Sequence, residues 1–189
     1  MNDQSAVAAF SIRDSDEADI AAIAVIYAHH VRTGFGSFEE VPPSADELAH
    51  RRAEVLARGL PYLVASDPSG ADILGYAYAS PYRTRSAYRF SVEDSIYVAA
   101  GAERRGIGRA LLSHIIERCT ASGYRQMVAV IGDTGNAGSI GLHAQLGFRH
   151  VGTLPAIGFK HGRWIDSVLM QRALGTGSSR LPPADGSRA

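Results

Sequence analysis

The stretch GAERRGIGRALL, residues 101–112, sets Gly106 and Gly108 among Arg104, Arg105 and Arg109, directly ahead of a run of helix formers. Ile107, Leu111, Ile115 and Cys119 then recur every four residues, with Leu112 and Ile116 beside them, so a helix follows the turn and ends near Gly123. SIYV (95–98), just before the turn, reads as a strand. A strand, a glycine-rich turn and a long helix make an anion-binding geometry. The first helical turn carries N–H groups without intrahelical acceptors and the positive end of the dipole. Glycine lets the backbone come close to a ligand, and the arginines add charge. The same residues also suit a plain tight turn, since a lone Gly-x-Gly is a weak signal. The P-loop pattern is not met, because Arg109-Ala110 stands where it needs Lys-Ser/Thr. The dinucleotide fingerprint fails at its last glycine, where Leu111 stands.

Outward from this turn, QMVAVIG (126–132) is a continuous apolar strand of the kind buried on both faces, completing a strand–helix–strand unit. SIGLHAQL (139–146) reads as a short helix, and FRHVGTL (148–154) and DSVLMQRAL (166–174) as closing strands. Upstream, FSIRD (10–14) alternates and reads as a short first strand. Asp16, with Asp19 three residues on, caps a helix running to about His30. TGFGSFEEVPP (33–43) is a loop. Ser44 and Glu47 form a capping-box pattern opening a second helix to about Arg58, stopped by Gly59. YLVA (62–65) and ILGYAYA (73–79) form a hairpin around DPSG (67–70). The pattern predicts one α/β domain with a mixed sheet over 10–174. It is flanked by a flexible N-terminus, 1–9, and a Gly/Ser/Pro-rich tail, 175–189, expected to be disordered.

Lys+Arg 19 balances Asp+Glu 19 over 189 residues, so neither nucleic acid nor a membrane surface is expected as a partner. No apolar run approaches the roughly 18 residues of a membrane span, and no signal-peptide pattern opens the chain. Cys119, the one cysteine, offers neither an intrachain disulfide nor a zinc set and falls on the apolar helix face. A reducing cytoplasm is the expected location. His29, His30 and His161 lack ligand spacing, so no metal is expected. Ser113, His114 and Ser139 form no nucleophile elbow.

The strand, the Gly106-x-Gly108 turn and the helix resemble the acyl-CoA motif of the GNAT N-acetyltransferase superfamily, usually Gln/Arg-x-x-Gly-x-Gly/Ala. Glu103 stands at its first position, which removes side-chain help to a pyrophosphate there. Backbone N–H groups do most of the holding in that family, and Arg104 and Arg105 are placed to compensate. NAGSIGLHAQLGF (136–148) resembles the family's later segment. The resemblance implies acetyl-CoA as co-substrate and a twisted mixed sheet with helices on both faces. Its parallel strands, 95–98 and 126–132, would splay around the pantetheine arm. It implies cofactor contacts at Ile96, Tyr97, Val98, Glu103, Arg104, Arg105, Gly106, Ile107, Gly108, Arg109, Asn136 and Ser139. Asn136 by itself reads better as a helix cap.

Three further stretches narrow the branch: IRDSDEADIAAIAVIYAHH (12–30) leading into GSFEEVPP (36–43), GYAYASPYRTRSAYRFSVEDSIYV (75–98) and LPAIGFKHGRWIDSVLMQRAL (154–174). Together they resemble the phosphinothricin and methionine sulfoximine acetyltransferases from about residue 11 to 174. That resemblance implies Glu93 as general base, just ahead of strand 95–98, and a catalytic role for His143. It implies Arg83, Arg85 and Tyr88 as substrate contacts, Phe38 as an apolar wall, and a homodimer built in part by the late segment. The residue types suit the chemistry. An amine must lose a proton before it can attack, and a carboxylate can take it. Imidazole titrates near neutrality, and arginine grips carboxylate or phosphinate with two prongs. Lys160 and Trp164 fit a site or an interface, with core packing the plainer reading for Trp164. Glu93 also reads as an exposed loop carboxylate, His143 as a structural histidine, and YRTRSAYR as a solvated basic loop. Two other functions stay open on these residues. One is acetylation of another amine, such as an antibiotic, a polyamine or a protein N-terminus. The other is a non-catalytic acyl-CoA sensor, which Glu103 favours and the pair Glu93 and His143 opposes.

Overall fold

The computed structural model describes residues 10–182. Seven strands, β1 (Ser11–Asp14), β2 (Tyr62–Ser66), β3 (Ile73–Pro81), β4 (Ser91–Val98), β5 (Gln126–Gly132), β6 (Arg149–Lys160) and β7 (Arg163–Ala173), form one sheet in the order β1-β2-β3-β4-β5-β7-β6. Every pairing is antiparallel except β4 with β5, which the crossover helix makes parallel. The helices are α1 (Ile20–Thr33), α2 (Ala45–Ala57), α3 (Ile107–Ala121) and α4 (Ala137–Gln145). The expected mixed α/β fold is present.

Alternation along the strands sorts the two faces. Tyr62, Tyr76, Tyr78 and Tyr97 share one face as a stacked ladder, with Tyr62–Tyr78 centroids 5.0 Å and Tyr76–Tyr97 centroids 5.2 Å apart. Tyr27 of α1 meets Tyr97 edge-on at 5.0 Å, so α1 covers that face. The other face holds α3, whose Ile107, Leu111, Leu112, Ile115 and Cys119 are buried at the predicted spacing. Cys119 is packing, and burial pushes its thiol up to about 12.

Local signals explain the element ends. The Asp16 side chain accepts from the Ala18 N–H while Asp19 accepts from the Asp16 N–H, but they cap a short 3-10 turn, Glu17–Asp19, that feeds α1. Ser44 Oγ accepts from the Glu47 N–H at 3.1 Å, whereas the Glu47 carboxylate turns to Arg51 instead of closing the box. Gly59, at φ +69, ends α2 as expected.

The structure corrects several of these expectations. β4 starts at Ser91, not at 95, so Glu93 lies within the strand and not ahead of it. The polar residues of SVED hide the strand because both of its faces meet functional groups there. The closing strands extend to 12 and 11 residues and meet at a tight turn, so PAIGFKHGRW belongs to a long hairpin. Trp164 is 65% exposed beside Phe159, outside the core. Within the expected tail, residues 175–180 form turns, with the Gly177 N–H donating to Leu174 O at 2.8 Å. Residues 1–9 and 183–189, where a flexible start and the rest of a disordered tail are expected, lie outside the described residues.

Candidate active site

β4 and β5 pair over Ser91↔Gln126, Val92↔Met127 and Glu93↔Val128, and no further. Beyond Glu93 the two strands diverge, and the gap opens a cleft of about 1460 Å³ bounded by β4, β5, the start of α3, α4 and the loop after α1. Ala99 donates its N–H to Leu74 O on β3 at 2.9 Å. Strand alternation therefore turns the backbone groups of Asp94, Ile96 and Val98 toward the gap. Splaying leaves these groups without partners on β5, with the Val98 carbonyl met instead by His30 Nε2 at 2.8 Å, so an extended chain fits between the strands.

At one end of the cleft lies the glycine turn. Gly106 takes φ +84, a conformation that glycine adopts without a Cβ penalty, and α3 begins at Ile107. A Cβ on Gly108 would come within 3.3 Å of Leu142 Cδ2, so this glycine also lets α3 approach α4. Arg104 and Arg109 line the cleft, while Arg105 does not. None of the three guanidinium groups makes a hydrogen bond or ion pair among the described residues, so their charge is free for an anion. Glu103 folds onto its own turn, its carboxylate accepting from the Gly101 N–H at 2.8 Å, and so does not reach across the helix start. Unspent N–H groups, unpaired arginines and a strand gap suit a phosphate-tailed thioester such as acetyl-CoA. Asn136 caps α4, accepting from the Ser139 N–H at 3.1 Å, and both residues line the cleft.

Glu93 stands where the strands part. Burial, then the neighbouring Asp94 charge, push its carboxyl up to about 7, against a smaller downward pull from Arg83. On the opposite face of β4, Asp94 Oδ2 lies 2.9 Å from His143 Nε2. His143 Nδ1 donates to Ser139 O at 2.7 Å, so both ring nitrogens are engaged. The imidazole is only 4% exposed. Burial lowers its pKa, but the Asp94 carboxylate more than offsets this and the net shift is upward. Asp94 Oδ1 is buried with no partner among the described residues.

The far wall is the loop of residues 34–39. Tyr27 Oη hydrogen-bonds Ser37 Oγ at 2.8 Å and donates to Glu39 Oε1 at 3.0 Å, and Arg51 donates to the same carboxylate at 2.6 Å. Phe38 lines the cleft. Arg83, Arg85 and Tyr88 do not line it; they sit on the exposed loop between β3 and β4, around a 3-10 turn at Ser86–Tyr88. There Arg83 stacks over Tyr82 at 5.2 Å and Tyr82 meets Tyr88 edge-on at 5.6 Å.

The cleft thus gathers Glu93, His143, Phe38 and every expected cofactor contact except Arg105. Asp94 carries no signal of its own in the sequence, where it is simply the polar neighbour of Glu93. His30, whose spacing fits no metal site, instead sets its Nε2 2.8 Å from Val98 O, a contact across 68 residues that no local pattern displays. No group of three or more His, Cys, Asp or Glu among the described residues is placed to hold a metal ion.

An open sheet split between two parallel strands, with a helix start at its mouth and a tuned carboxylate at its apex, defines an acyl-transfer fold. Comparison with known proteins agrees. Residues 12–169 match the acetyltransferase (GNAT) domain family. The chain is 54% identical over 174 residues to a phosphinothricin N-acetyltransferase of Alcaligenes faecalis, covering 92% of this chain and 87% of that one. It is 43% identical over 164 residues to an L-methionine sulfoximine/L-methionine sulfone acetyltransferase of Pseudomonas aeruginosa, covering 85% and 92%. A crystal structure of a phosphinothricin acetyltransferase from Sinorhizobium meliloti in complex with acetyl-CoA superposes with a TM-score of 0.89 at 48% identity, over 93% of this chain and 94% of that one. The chain belongs to the GNAT acetyltransferase family.

Proposed function

We propose that this protein transfers acetyl from acetyl-CoA to the α-amino group of a small amino-acid analogue of the phosphinothricin and methionine sulfoximine class. The observation that carries the reading is Glu93, a carboxylate at the parting of the strands with its pKa raised to about 7. Acetyl-CoA supplies an activated acetyl thioester. Glu93 removes one proton from the acceptor ammonium, freeing its lone pair to attack the thioester carbonyl. The C–N bond forms, the C–S bond breaks, and the CoA thiolate leaves with the second proton that the nitrogen sheds as it becomes an amide. The Val98 N–H, turned to the gap, is the donor for charge building on the carbonyl oxygen. His143, with both nitrogens engaged, acts through Asp94 as a positioning residue. It secures α4 to β4 and holds the carboxylate that raises Glu93. A non-catalytic sensor has no use for so tuned a base. Thiol release from acetyl-CoA with phosphinothricin, methionine sulfoximine, ordinary amino acids and polyamines tests the reading. Release with either analogue supports it; release only with polyamines or peptides replaces the acceptor.

The exposed Arg83–Tyr88 loop supplies the positive charge that the acceptor end of the cleft lacks. The Arg85 guanidinium makes no hydrogen bond or ion pair among the described residues, which leaves it free to close on the acceptor acid group. Arg85→Ala is expected to raise the acceptor KM roughly 10- to 100-fold, the loss of about 1.5–3 kcal/mol from a charge-assisted pair. Steady-state kinetics check this, with the acetyl-CoA KM unchanged.

A homodimer fits the exposed hairpin. β6 is a sheet edge, and Val151, Leu154, Ile157 and Phe159 on it, with Trp164 on β7, leave apolar side chains in solvent. Sedimentation is expected to give a dimer for the wild type and a monomer for Ile157→Glu combined with Trp164→Glu. A wild-type monomer at the same concentration would refute the dimer. A cytoplasmic enzyme suits acetyl-CoA use and a buried free thiol.

A further inference from the structure

Lys160, near the tip of the β6–β7 hairpin, is 2% exposed. Its Nζ donates to Gly34 O at 2.9 Å and to Ser37 O at 2.7 Å, across 126 and 123 residues of chain. Burial lowers its pKa, while Glu40 and Glu39 pull the other way. The rest of the hairpin tip grips the same loop. Phe35 lies between the Arg163 guanidinium, 4.0 Å from its ring centroid, and the His161 ring at 5.5 Å. Arg163 is itself tied to Asp133 at the end of β5. The Phe38 ring packs against Gly158, where a Cβ would come within 2.5 Å of it, and against Gly132, where a Cβ would collide with the Phe35 carbonyl.

A buried ammonium is a demanding way to tie down a loop, since burying charge costs more than burying a neutral staple. It does one thing an apolar residue cannot: it fixes the direction of two peptide planes. In a trans peptide the N–H points opposite to the C=O. Holding the Gly34 and Ser37 carbonyls therefore turns the N–H groups of Phe35 and Phe38 away from Lys160. Neither has an acceptor among the described residues, and both residues line the cleft. The side chains at this end, Glu39, Glu93 and Asp133, are acidic, so an anionic group there needs donors from elsewhere.

Resting on the acetyl-transfer reading above, we propose that Lys160 is a positioning residue for acceptor recognition. It orients the 34–38 loop so that the Phe35 and Phe38 N–H groups receive the acid group of the acceptor amino acid.

The test compares wild type, Lys160→Met, Lys160→Arg and Gly158→Ala with methionine sulfoximine and with its carboxamide, in which the carboxylate is neutral. Lys160→Met is expected to raise the KM for the acid at least tenfold and that for the amide much less, with the acetyl-CoA KM unchanged. Lys160→Arg should recover part of the loss, and Gly158→Ala, which displaces Phe38, should reproduce it in a folded protein. A Lys160→Met enzyme with wild-type acceptor KM overturns the proposal, as does an equal loss for acid and amide. If Lys160→Met fails to fold, an unchanged acid-to-amide ratio in Gly158→Ala overturns it. If wild type acetylates no amino-acid analogue, the proposed acceptor is wrong and this inference falls with it. If wild type turns over normally and only the ratio fails to move, the loss is confined to Lys160.

Discussion

Glu93→Gln is expected to lower kcat about 10²- to 10⁴-fold, the range for removing a general base, while acetyl-CoA binding measured by calorimetry stays at the wild-type value. The amide keeps the shape of the carboxylate but cannot accept the ammonium proton. The pH profile carries a second signature. Burial and Asp94 hold the Glu93 carboxyl near 7, so it is protonated and idle below that pH and competent above it. The rate should therefore rise through about pH 7 in the wild type and lose that limb in Glu93→Gln. Neighbouring charges should move the limb in opposite directions. Asp94→Asn removes a like charge and shifts it to lower pH; Arg83→Ala removes a favourable charge and shifts it to higher pH. A limb that ignores all three changes would assign the base elsewhere.

Gly106→Val is expected to weaken acetyl-CoA binding by roughly tenfold or more. A left-handed conformation costs an L-residue about 1–2 kcal/mol, and a β-branched side chain tolerates it least. Gly106 sits at φ +84 as the residue before the first turn of α3. Relaxing that angle re-aims the N–H groups that face the cleft mouth. A Cβ there would meet nothing within 4 Å, so the expected loss comes from backbone geometry and not from a steric clash. Calorimetry with acetyl-CoA measures it, and circular dichroism confirms that α3 is intact. Unchanged affinity would mean that the glycine turn is only a turn.

Much of this architecture is legible in the chain because its signals are local. The four-residue recurrence from Ile107 to Cys119 specifies α3 and its buried face. The apolar run at 126–132 coincides with β5, and Asp16, Ser44 and Gly59 mark helix ends as their chemistry requires. The start of β4 escapes because Glu93 and Asp94 interrupt the apolar pattern, and they do so because they work on opposite faces of one strand. The Asp94–His143 pair joins residues 49 apart, and the Lys160 contacts span more than 120, so no local window displays them. Histidine on an amphipathic helix reads equally as packing or as acid. Only the position of Asp94 reveals that both of its nitrogens are engaged.

The most direct test of the central claim is mass spectrometry of the acceptor after incubation with acetyl-CoA. The account predicts N-acetylated phosphinothricin or methionine sulfoximine, formed one for one with released thiol and absent with Glu93→Gln. Thiol release without an acetylated amine, or bound acetyl-CoA with no product from any amino-acid analogue, would contradict it.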